Sequence, residues 1–422
     1  MTTKPMTYAL TNCTVYTGEE AHPGAAIIIR GKKIDTIVNA SEIPPNIPSY
    51  DLMGLSAAPG FIDIQVNGGG GYLFNDDISL QAVRKIAEAH RRHGTTRMLV
   101  TLLTTSFEKM NKAVDVMEEC VCKGVNSILG VHFEGPYIHP QKAGVHDKQY
   151  IRRPDEEELY RLIERDSLQT IRMMTIAPEM IEDRHLALLV KHGVILSAGH
   201  SLATYEQAVR AFSKGIRCIT HLFNAMSQLG SREPGLVGAW LTHGREIYAG
   251  IIADGYHVHP TAIRIAKQLS NRKLFLVTDG MPPVGAKQRT FHLGIYTVIS
   301  EKGKCVTEDG TLAGSALDMA SAVRYCVTEL GISMDEALRM ASTYVSELLG
   351  LDDRLGKIKS SYDANIVIFD DTIDVKAVVL DGELQIFKEE PKTPITKECP
   401  YCLSIIPAKA VRCSACTSQL NL

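Results

Sequence analysis

Residues 196–226, LSAGHSLATYEQAVRAFSKGIRCITHLFNAM, decide the fold that the sequence predicts. This stretch contains two histidines, His200 and His221, and each follows a short apolar run, VILSAG in the first case and CIT in the second. Apolar residues at helical spacing lie between the two runs. The pattern is that of a strand, a helix and a second strand, with a histidine at the end of each strand.

The two histidines are candidate metal ligands. The carboxyl ends of parallel strands meet on one face of a β/α protein, and neutral imidazole is the commonest metal ligand. Glu134 ends another buried-strand pattern, SILGVHFE, where a carboxylate is costly unless a charged group lies beside it. One glutamate and two histidines form a known ligand set for a catalytic zinc with an open position. The alternative is that each histidine only packs against or caps the end of its strand.

The rest of the chain predicts an α/β protein with three parts. Strand and helix patterns alternate through residues 57–350, which favours a (β/α)8 TIM barrel over an open doubly wound sheet. Residues 1–56 and 351–390 are both rich in strand patterns, so we expect one small β-sandwich domain assembled from the two ends of the chain. Residues 391–422 follow as a linker and a cysteine-rich tail.

The tail is a candidate structural zinc site. It carries two CxxC pairs, formed by Cys399 with Cys402 and by Cys413 with Cys416. Four thiolates can bind zinc tetrahedrally and so fold a segment that is too short to fold alone. This predicts a zinc-ribbon-like knuckle, which can bind another protein, and the alternative is a disordered tail.

Composition excludes several classes of function. A formal net charge of −3 over 422 residues argues against a nucleic-acid or membrane footprint. The N-terminus has no signal-peptide pattern, and no apolar run is long enough to span a bilayer. The other six cysteines are scattered through strand and helix patterns, as in a reducing compartment. We therefore expect a cytoplasmic protein.

Further candidate residues lie at other predicted strand ends. Asp279 closes the run KLFLVTD, where it could cap a loop or exchange protons with an activated water. Gln65 and Asn67 precede a glycine run that would let backbone approach a ligand, although a tight turn would also need glycine.

The loops supply His146, Asn224, Arg232 and His257. Near a metal site, arginine and histidine suggest an anionic group on the substrate, and the alternative is ordinary surface charge.

Several motifs together resemble one family. They are PGFIDIQVNG, HFEGPYIHPQKAGVH, SAGHS, THLFNAM, REPGLVGA, IIADGYHVHP, LVTDG and GTLAGS. In this order, and over residues from about 8 to 387, the sequence is similar to the N-acetylglucosamine-6-phosphate deacetylases of the amidohydrolase superfamily. The resemblance implies a (β/α)8 barrel, a small β-sandwich built from both ends, and a homodimer.

The resemblance also implies roles for individual residues. Glu134, His200 and His221 would hold the metal, Asp279 would act as general base and then acid, and His146 would polarise the amide carbonyl. The sugar phosphate would be held by Asn224, the backbone of Ala225, Arg232 from the partner subunit, and His257. Further candidate substrate-binding residues are Val145, Leu312, Ala313, Gly314 and Gln65.

Two departures from related patterns affect these expectations. Many amidohydrolases carry HxH at the end of the first strand and bind two metals, whereas this chain has Gln65 and Asn67 there. Because an amide is a poor substitute for imidazole, we expect one catalytic metal, zinc, with Fe²⁺, Co²⁺ and Mn²⁺ as alternatives. The sequence TDGMPP departs from the more frequent TDA, and the tail with its second, structural zinc lies outside the resemblance.

The resemblance thus implies metal-dependent hydrolysis of N-acetyl-D-glucosamine 6-phosphate to D-glucosamine 6-phosphate and acetate, in amino-sugar catabolism and cell-wall sugar recycling. One alternative keeps this chemistry and changes the sugar to N-acetylgalactosamine 6-phosphate. Another is a non-catalytic amidohydrolase-like scaffold, against which the intact set of Glu134, His200, His221 and Asp279 argues.

Overall fold

The computed structural model describes residues 6–301, 303–387, 396–407, 412 and 415–419. The chain divides into two compact units, Met1–Gln385 and Ile386–Leu422. The first unit contains the barrel and a small sheet domain, and the second contains the cysteine-rich tail.

Eight parallel strands form the barrel, and neighbours in the sequence are neighbours in the sheet. Their bounds are Phe61–Val66, Thr95–Leu103, Ile128–Glu134, Ile171–Ile176, Ile195–Ala198, Ile216–Ile219, Tyr248–Ile251 and Leu274–Leu276. The first and last strands do not pair along their length. Instead, the backbone N–H groups of Asn67 and Gly68 donate to the carbonyl oxygen of Gly280, at 3.0 and 2.8 Å, and close the ring at its carboxyl end.

A helix follows each barrel strand, as the alternating pattern predicts. These eight helices are Leu80–Arg91, Phe107–Cys122, Glu156–Arg165, Asp183–Lys191, Tyr205–Ser213, Gly235–His243, Pro260–Ser270 and Met319–Thr328. Several begin at residues that cap them: the side chains of Ser79, Ser106 and Asp318 accept hydrogen bonds from backbone N–H groups of the first turn. Two further helices, Met334–Ala341 and Thr343–Leu349, complete the outer layer. The prediction of a (β/α)8 barrel is confirmed.

The small domain is one sheet assembled from both ends of the chain. Its strands are Thr7–Tyr16, Ala21–Arg30, Lys33–Asn39, Ser49–Asp51, Ser56–Pro59, Ile366–Phe369, Val375–Leu380 and Glu383–Ile386. The two ends meet where Ile366–Phe369 runs antiparallel to Ser56–Pro59, and the sheet has a hydrophobic core of its own. The prediction that both termini build this domain is confirmed, and the exact boundaries at residues 56, 350 and 390 stay predictions.

A four-stranded antiparallel sheet between the last barrel strand and its helix is a feature that the sequence reading missed. Its strands are Thr290–Leu293, Tyr296–Glu301, Lys304–Thr307 and Leu312–Ser315. Three of them are only four residues long, which is too short for a clear alternation of apolar and polar residues, and Ile295 at the turn between the first two is 91% exposed. This insert brings Leu312 and Gly314 to the open face of the barrel.

Shorter elements complete the description. Gly68–Gly69 and Tyr72–Leu73 form a hairpin beside the first barrel strand, and in the tail Thr396–Glu398 pairs antiparallel with Ile405–Pro407. Among the described residues, no helix combines the length and apolar character needed to cross a membrane.

Candidate metal centre and active site

Three buried side chains converge at the carboxyl end of the barrel. Oε1 of Glu134 lies 2.9 Å from Nε2 of His200 and 3.0 Å from Nε2 of His221, and the two Nε2 atoms are 3.0 Å apart. Ligands about 2.0–2.1 Å from a tetrahedral zinc ion would lie about 3.3 Å from one another. The three atoms are therefore arranged as one face of a metal coordination shell.

The hydrogen bonds of His200 fit metal binding. Nδ1 of His200 lies 2.7 Å from the carbonyl oxygen of Lys142, and a carbonyl can only accept. Nδ1 therefore carries the proton in neutral His200, and the lone pair of Nε2 faces Glu134 and His221. A backbone carbonyl that fixes the tautomer in this way is the usual partner of a metal-ligating histidine.

The charges of the three groups are coupled. Burial alone would raise the pKa of Glu134, but the hydrogen bonds and positive charges of His200 and His221 hold it well below its usual range. Burial would lower the pKa of His221, but its contact with Glu134 raises it. A buried carboxylate that stays ionised beside two imidazoles attracts a cation.

Backbone geometry brings the chemical groups onto this face. His200, His221 and Asp279 have φ angles of +47°, +32° and +52°, in the left-handed region that residues with a Cβ rarely adopt. Each lies just after a barrel strand, where the chain turns sharply out of the sheet. Strain of this kind is concentrated at functional sites.

Asp279 lies beside the three converging groups and is held by two amides. Its Oδ1 accepts from Nδ2 of Asn67 at 2.6 Å and from Nε2 of Gln65 at 3.2 Å. Gln65 also reaches both carboxylate oxygens of Glu134 at 3.4 Å. Burial and the nearby charge of Glu134 both raise the pKa of Asp279. Gln65 thus links the carboxylates, and it lies beside Glu134 rather than within the lining of the cavity.

His146 presents an N–H group to the same space. Nδ1 of His146 lies 2.8 Å from the hydroxyl of Thr104 and 3.3 Å from its backbone N–H, and because the N–H can only donate, Nδ1 is the acceptor and the neutral ring carries its proton on Nε2. Burial lowers the pKa of His146 to about 3, which keeps the ring neutral. Its Nε2 lies 3.9 Å from Oε1 of Glu134, so the N–H is available to a group bound beside the three ligands.

A cavity of about 230 Å³ joins these groups. Of the residues singled out in the sequence, it is lined by Glu134, Val145, His146, His200, His221, Asn224, Ala225, His257, Asp279, Leu312 and Gly314. The sequence reading missed Leu103, Gly144, Ile252, Met281 and Thr311, which also line it, because apolar residues, a glycine and a single threonine carry no specific chemical signal.

Besides Gln65, two predicted residues do not line the cavity. Ala313 is buried in its strand but is not part of the lining, and Arg232 is exposed. Within the described part of the chain, Arg232 makes no ion pair. Its predicted role in the site of a partner subunit stays a prediction.

His257 is held by an acidic neighbour that the sequence reading did not single out. Nδ1 of His257 lies 2.6 Å from Oδ2 of Asp254, and both side chains are nearly fully buried. Burial would raise the pKa of Asp254, but the hydrogen bonds and charge of His257 lower it. Because Nδ1 binds the carboxylate, Nε2 of His257 is the nitrogen left to bind a ligand.

The tail forms a separate cluster within its own unit. The sulfur atoms of Cys399, Cys402 and Cys416 lie within 4.8 Å of one another, and those of Cys399 and Cys416 are 3.7 Å apart. This exceeds the length of a disulfide bond, about 2.05 Å, and suits thiolates around one ion. The predicted fourth ligand, Cys413, lies outside the described residues.

Comparison with known proteins covers nearly the whole first unit. A model of the amidohydrolase family matches residues 56–396, and a model of the NagA composite domain matches residues 7–56.

Individual relatives agree with these matches. The chain is 38% identical to an N-acetylglucosamine-6-phosphate deacetylase of Haemophilus influenzae, covering 90% of this chain and 99% of that protein. It is 40% identical to an N-acetylgalactosamine-6-phosphate deacetylase of Shewanella, over 80% and 85% of the two chains. A crystal structure of N-acetylglucosamine-6-phosphate deacetylase from Pasteurella multocida superposes with a TM-score of 0.88 at 38% identity, covering 90% of this chain and all of that one.

Proposed function

The chain belongs to the amidohydrolase family, within which it is an N-acetylglucosamine-6-phosphate deacetylase, and from this premise we propose how its residues hydrolyse the substrate. The reaction converts N-acetyl-D-glucosamine 6-phosphate and water to D-glucosamine 6-phosphate and acetate. The observation that carries the proposal is the convergence of Glu134, His200 and His221 with Asp279 and His146 around one cavity.

Glu134, His200 and His221 would hold one divalent metal, for which zinc is the best match to a set of one carboxylate and two imidazoles. A metal held there supplies Lewis-acid chemistry that activates water and polarises a carbonyl oxygen. His146 adds a hydrogen bond from Nε2–H to the acetyl carbonyl oxygen. Because its Nδ1 accepts from Thr104, this hydrogen-bond donor is in place before the substrate binds.

Asp279 would move the proton. Its Oδ1 is occupied by Asn67 and Gln65, so Oδ2 is the oxygen left to take a proton from the attacking water. The water oxygen bonds to the acetyl carbon, and the C–N bond then breaks as Oδ2 returns the proton to the leaving amine. Burial raises the pKa of Asp279, which suits a carboxylate that accepts a proton and then donates it.

His257 and Asn224 would bind the phosphate at the other side of the cavity, with the backbone of Ala225. We infer that Arg232 reaches the same group from a partner subunit, since it is exposed in its own chain. A homodimer follows from this assignment. Sedimentation of the full-length protein as a monomer, with the KM of the Arg232→Ala variant unchanged, would contradict both inferences.

Substrate selectivity tests the proposed function. Acetate release would be measured for N-acetylglucosamine 6-phosphate, its galactosamine epimer and unphosphorylated N-acetylglucosamine. We expect the glucosamine phosphate to have the highest kcat/KM and the unphosphorylated sugar to lose activity mainly through KM. A higher kcat/KM for the epimer would move the assignment to the reaction named for the Shewanella relative, and no release from any of the three would support the scaffold.

Replacing His146 should lower turnover without emptying the metal site. In His146→Gln the hydrogen bond to the developing oxyanion is lost or misplaced, and we expect kcat to fall by about 10²- to 10³-fold. His139→Gln, in the same loop but outside the cavity lining, is the matched control and should keep wild-type kcat. Equal rates for the two variants would remove His146 from the reaction.

The tail would hold a second, structural zinc through Cys399, Cys402, Cys413 and Cys416. Purified full-length protein should then contain about two zinc ions per chain, one of them in the tail. Cys399→Ser should lower the zinc content by one while acetate release stays unchanged, and Cys122→Ser, an exposed cysteine on a helix, should change neither. Unchanged zinc in Cys399→Ser would argue against the tail site. Cytoplasmic location and a protein partner for the tail stay predictions.

A further inference from the structure

A chain of buried hydroxyl groups runs beneath the proposed metal site. Oγ of Ser197 lies 2.6 Å from Oγ1 of Thr220, which lies 2.6 Å from Oγ1 of Thr175, which in turn lies 2.7 Å from Nε2 of His132. Nδ1 of His132 lies 2.9 Å from the carbonyl oxygen of Ile64. All four side chains are at most 2% exposed. Polar groups fill a barrel interior where branched apolar side chains would be expected.

The hydrogen bonds along this row of hydroxyl groups all run in one direction, from Ser197 towards His132. A carbonyl oxygen can only accept, so Nδ1 of His132 donates to Ile64. The hydrogen-bond partners of the ring include no acid, so the buried ring is neutral and its Nε2 accepts the hydroxyl proton of Thr175. Thr175 must then accept from Thr220, and Thr220 from Ser197. Each hydroxyl proton of the chain and both ring nitrogens of His132 then have a partner, which favours a single rigid arrangement.

Three of the four strands that these hydroxyl groups connect lead to the ligands, and Thr175 lies on the fourth, Ile171–Ile176, which pairs with the strand of Glu134 and with the strand before His200. Ser197 lies three residues before His200, Thr220 directly precedes His221, and His132 lies two residues before Glu134. Successive side chains on a strand alternate, so His132 lies one layer below Glu134 on the same face.

Packing at Gly199 supports a close fit between the chain and the site. A Cβ at this position would lie 2.9 Å from Cβ of Thr220 and 3.0 Å from a methyl group of Thr175. The backbone that leads into His200 therefore rests directly on the hydroxyl chain.

We propose that Ser197, Thr220, Thr175 and His132 act together as positioning residues that hold the three ligand-bearing strands in register for the metal. The inference rests on the proposed metal site. It adds that the affinity of this site for zinc depends on side chains that do not contact the metal. Groups that hydrogen-bond directly to metal ligands change metal affinity by about 10- to 100-fold, so for groups one contact further away we expect the lower end of this range.

The test is the zinc affinity of the full-length protein, measured by competition with a chelator. Thr175→Val preserves shape but cannot donate to His132 or accept from Thr220, and we expect zinc to bind the barrel about 10-fold more weakly, the lower end of the range for direct partners of ligands. Thr175→Ser should restore the affinity. Thr95→Val is the matched control, because the hydroxyl of Thr95 is buried without a partner among the described residues and its loss should leave zinc affinity unchanged. The tail is the same in every variant, so differences in zinc affinity between the variants come from the barrel site.

A double variant tests whether the chain acts as a unit. After Thr175→Val has broken it, Thr220→Val should weaken zinc binding by less than it does alone. If Thr175→Val fails to fold, Ser197→Ala carries the test, and wild-type zinc affinity in that variant overturns the proposal. Wild-type affinity in folded Thr175→Val also overturns it. A wild-type barrel that binds no zinc would instead contradict the metal site itself.

Discussion

Asp279→Asn should release acetate about 10³- to 10⁴-fold more slowly than the wild type while its barrel keeps the metal. Asparagine still offers Oδ1 to Asn67 and Gln65, which hold the aspartate now. It places an NH₂ group where Oδ2 would take the proton, so both proton transfers lose their carrier. The measurement is kcat for N-acetylglucosamine 6-phosphate, with zinc content determined on the same sample.

Asp318→Asn provides the matched control for this loss. Asp318 caps the helix after the last barrel strand, with Oδ1 accepting from the N–H of Ser321 at 2.8 Å. Asparagine caps helices equally well, so this exchange of carboxylate for amide should leave kcat unchanged. Asp279→Asn with a normal zinc content and wild-type kcat would show that another group moves the proton.

Glu134→Gln should empty the barrel site and reduce acetate release to background. The carboxylate is the only anionic member of the three ligands, and its Oε1 lies within 3.0 Å of both histidine nitrogens. An amide oxygen is a weaker ligand and brings no charge. Loss of several kcal/mol of Lewis-acid stabilisation corresponds to roughly 10³-fold or more in rate.

The readout for Glu134→Gln is zinc content together with kcat. We expect the variant to keep the tail zinc and lose the other. Glu206→Gln makes the same exchange at the start of the helix between the two histidine strands, where the side chain is exposed, and should lose neither. A Glu134→Gln protein that keeps both ions would contradict the ligand assignment.

Much of the fold, and the convergence of the candidate site residues, could be predicted because the signals were local. Glu134, His200, His221 and Asp279 each end an apolar run, and in a parallel barrel all such ends face one side. The ligand set follows from residue type once this geometry is granted. The small domain was predictable for a similar reason, since both ends of the chain carry strand patterns without helices.

Other features depend on three-dimensional contacts that no local pattern reports. Thr104 sets the tautomer of His146 through its backbone N–H, and the sequence separation is 42 residues. Thr175 and Thr220 look like ordinary β-branched strand residues until their hydroxyl groups are seen to meet. Arg232 is a different case, because it is predicted to act in the site of a partner subunit. The structure of a single chain does not contain that contact.

Zinc titration of metal-depleted protein tests the central claim most directly. Full-length protein stripped of metal would receive increasing zinc, with acetate release from N-acetylglucosamine 6-phosphate followed at each step. We predict no release without metal, recovery of the full rate as the barrel site fills, and no recovery in Glu134→Gln. Full release by the metal-depleted protein, or none after the barrel has taken up zinc, would contradict the claim.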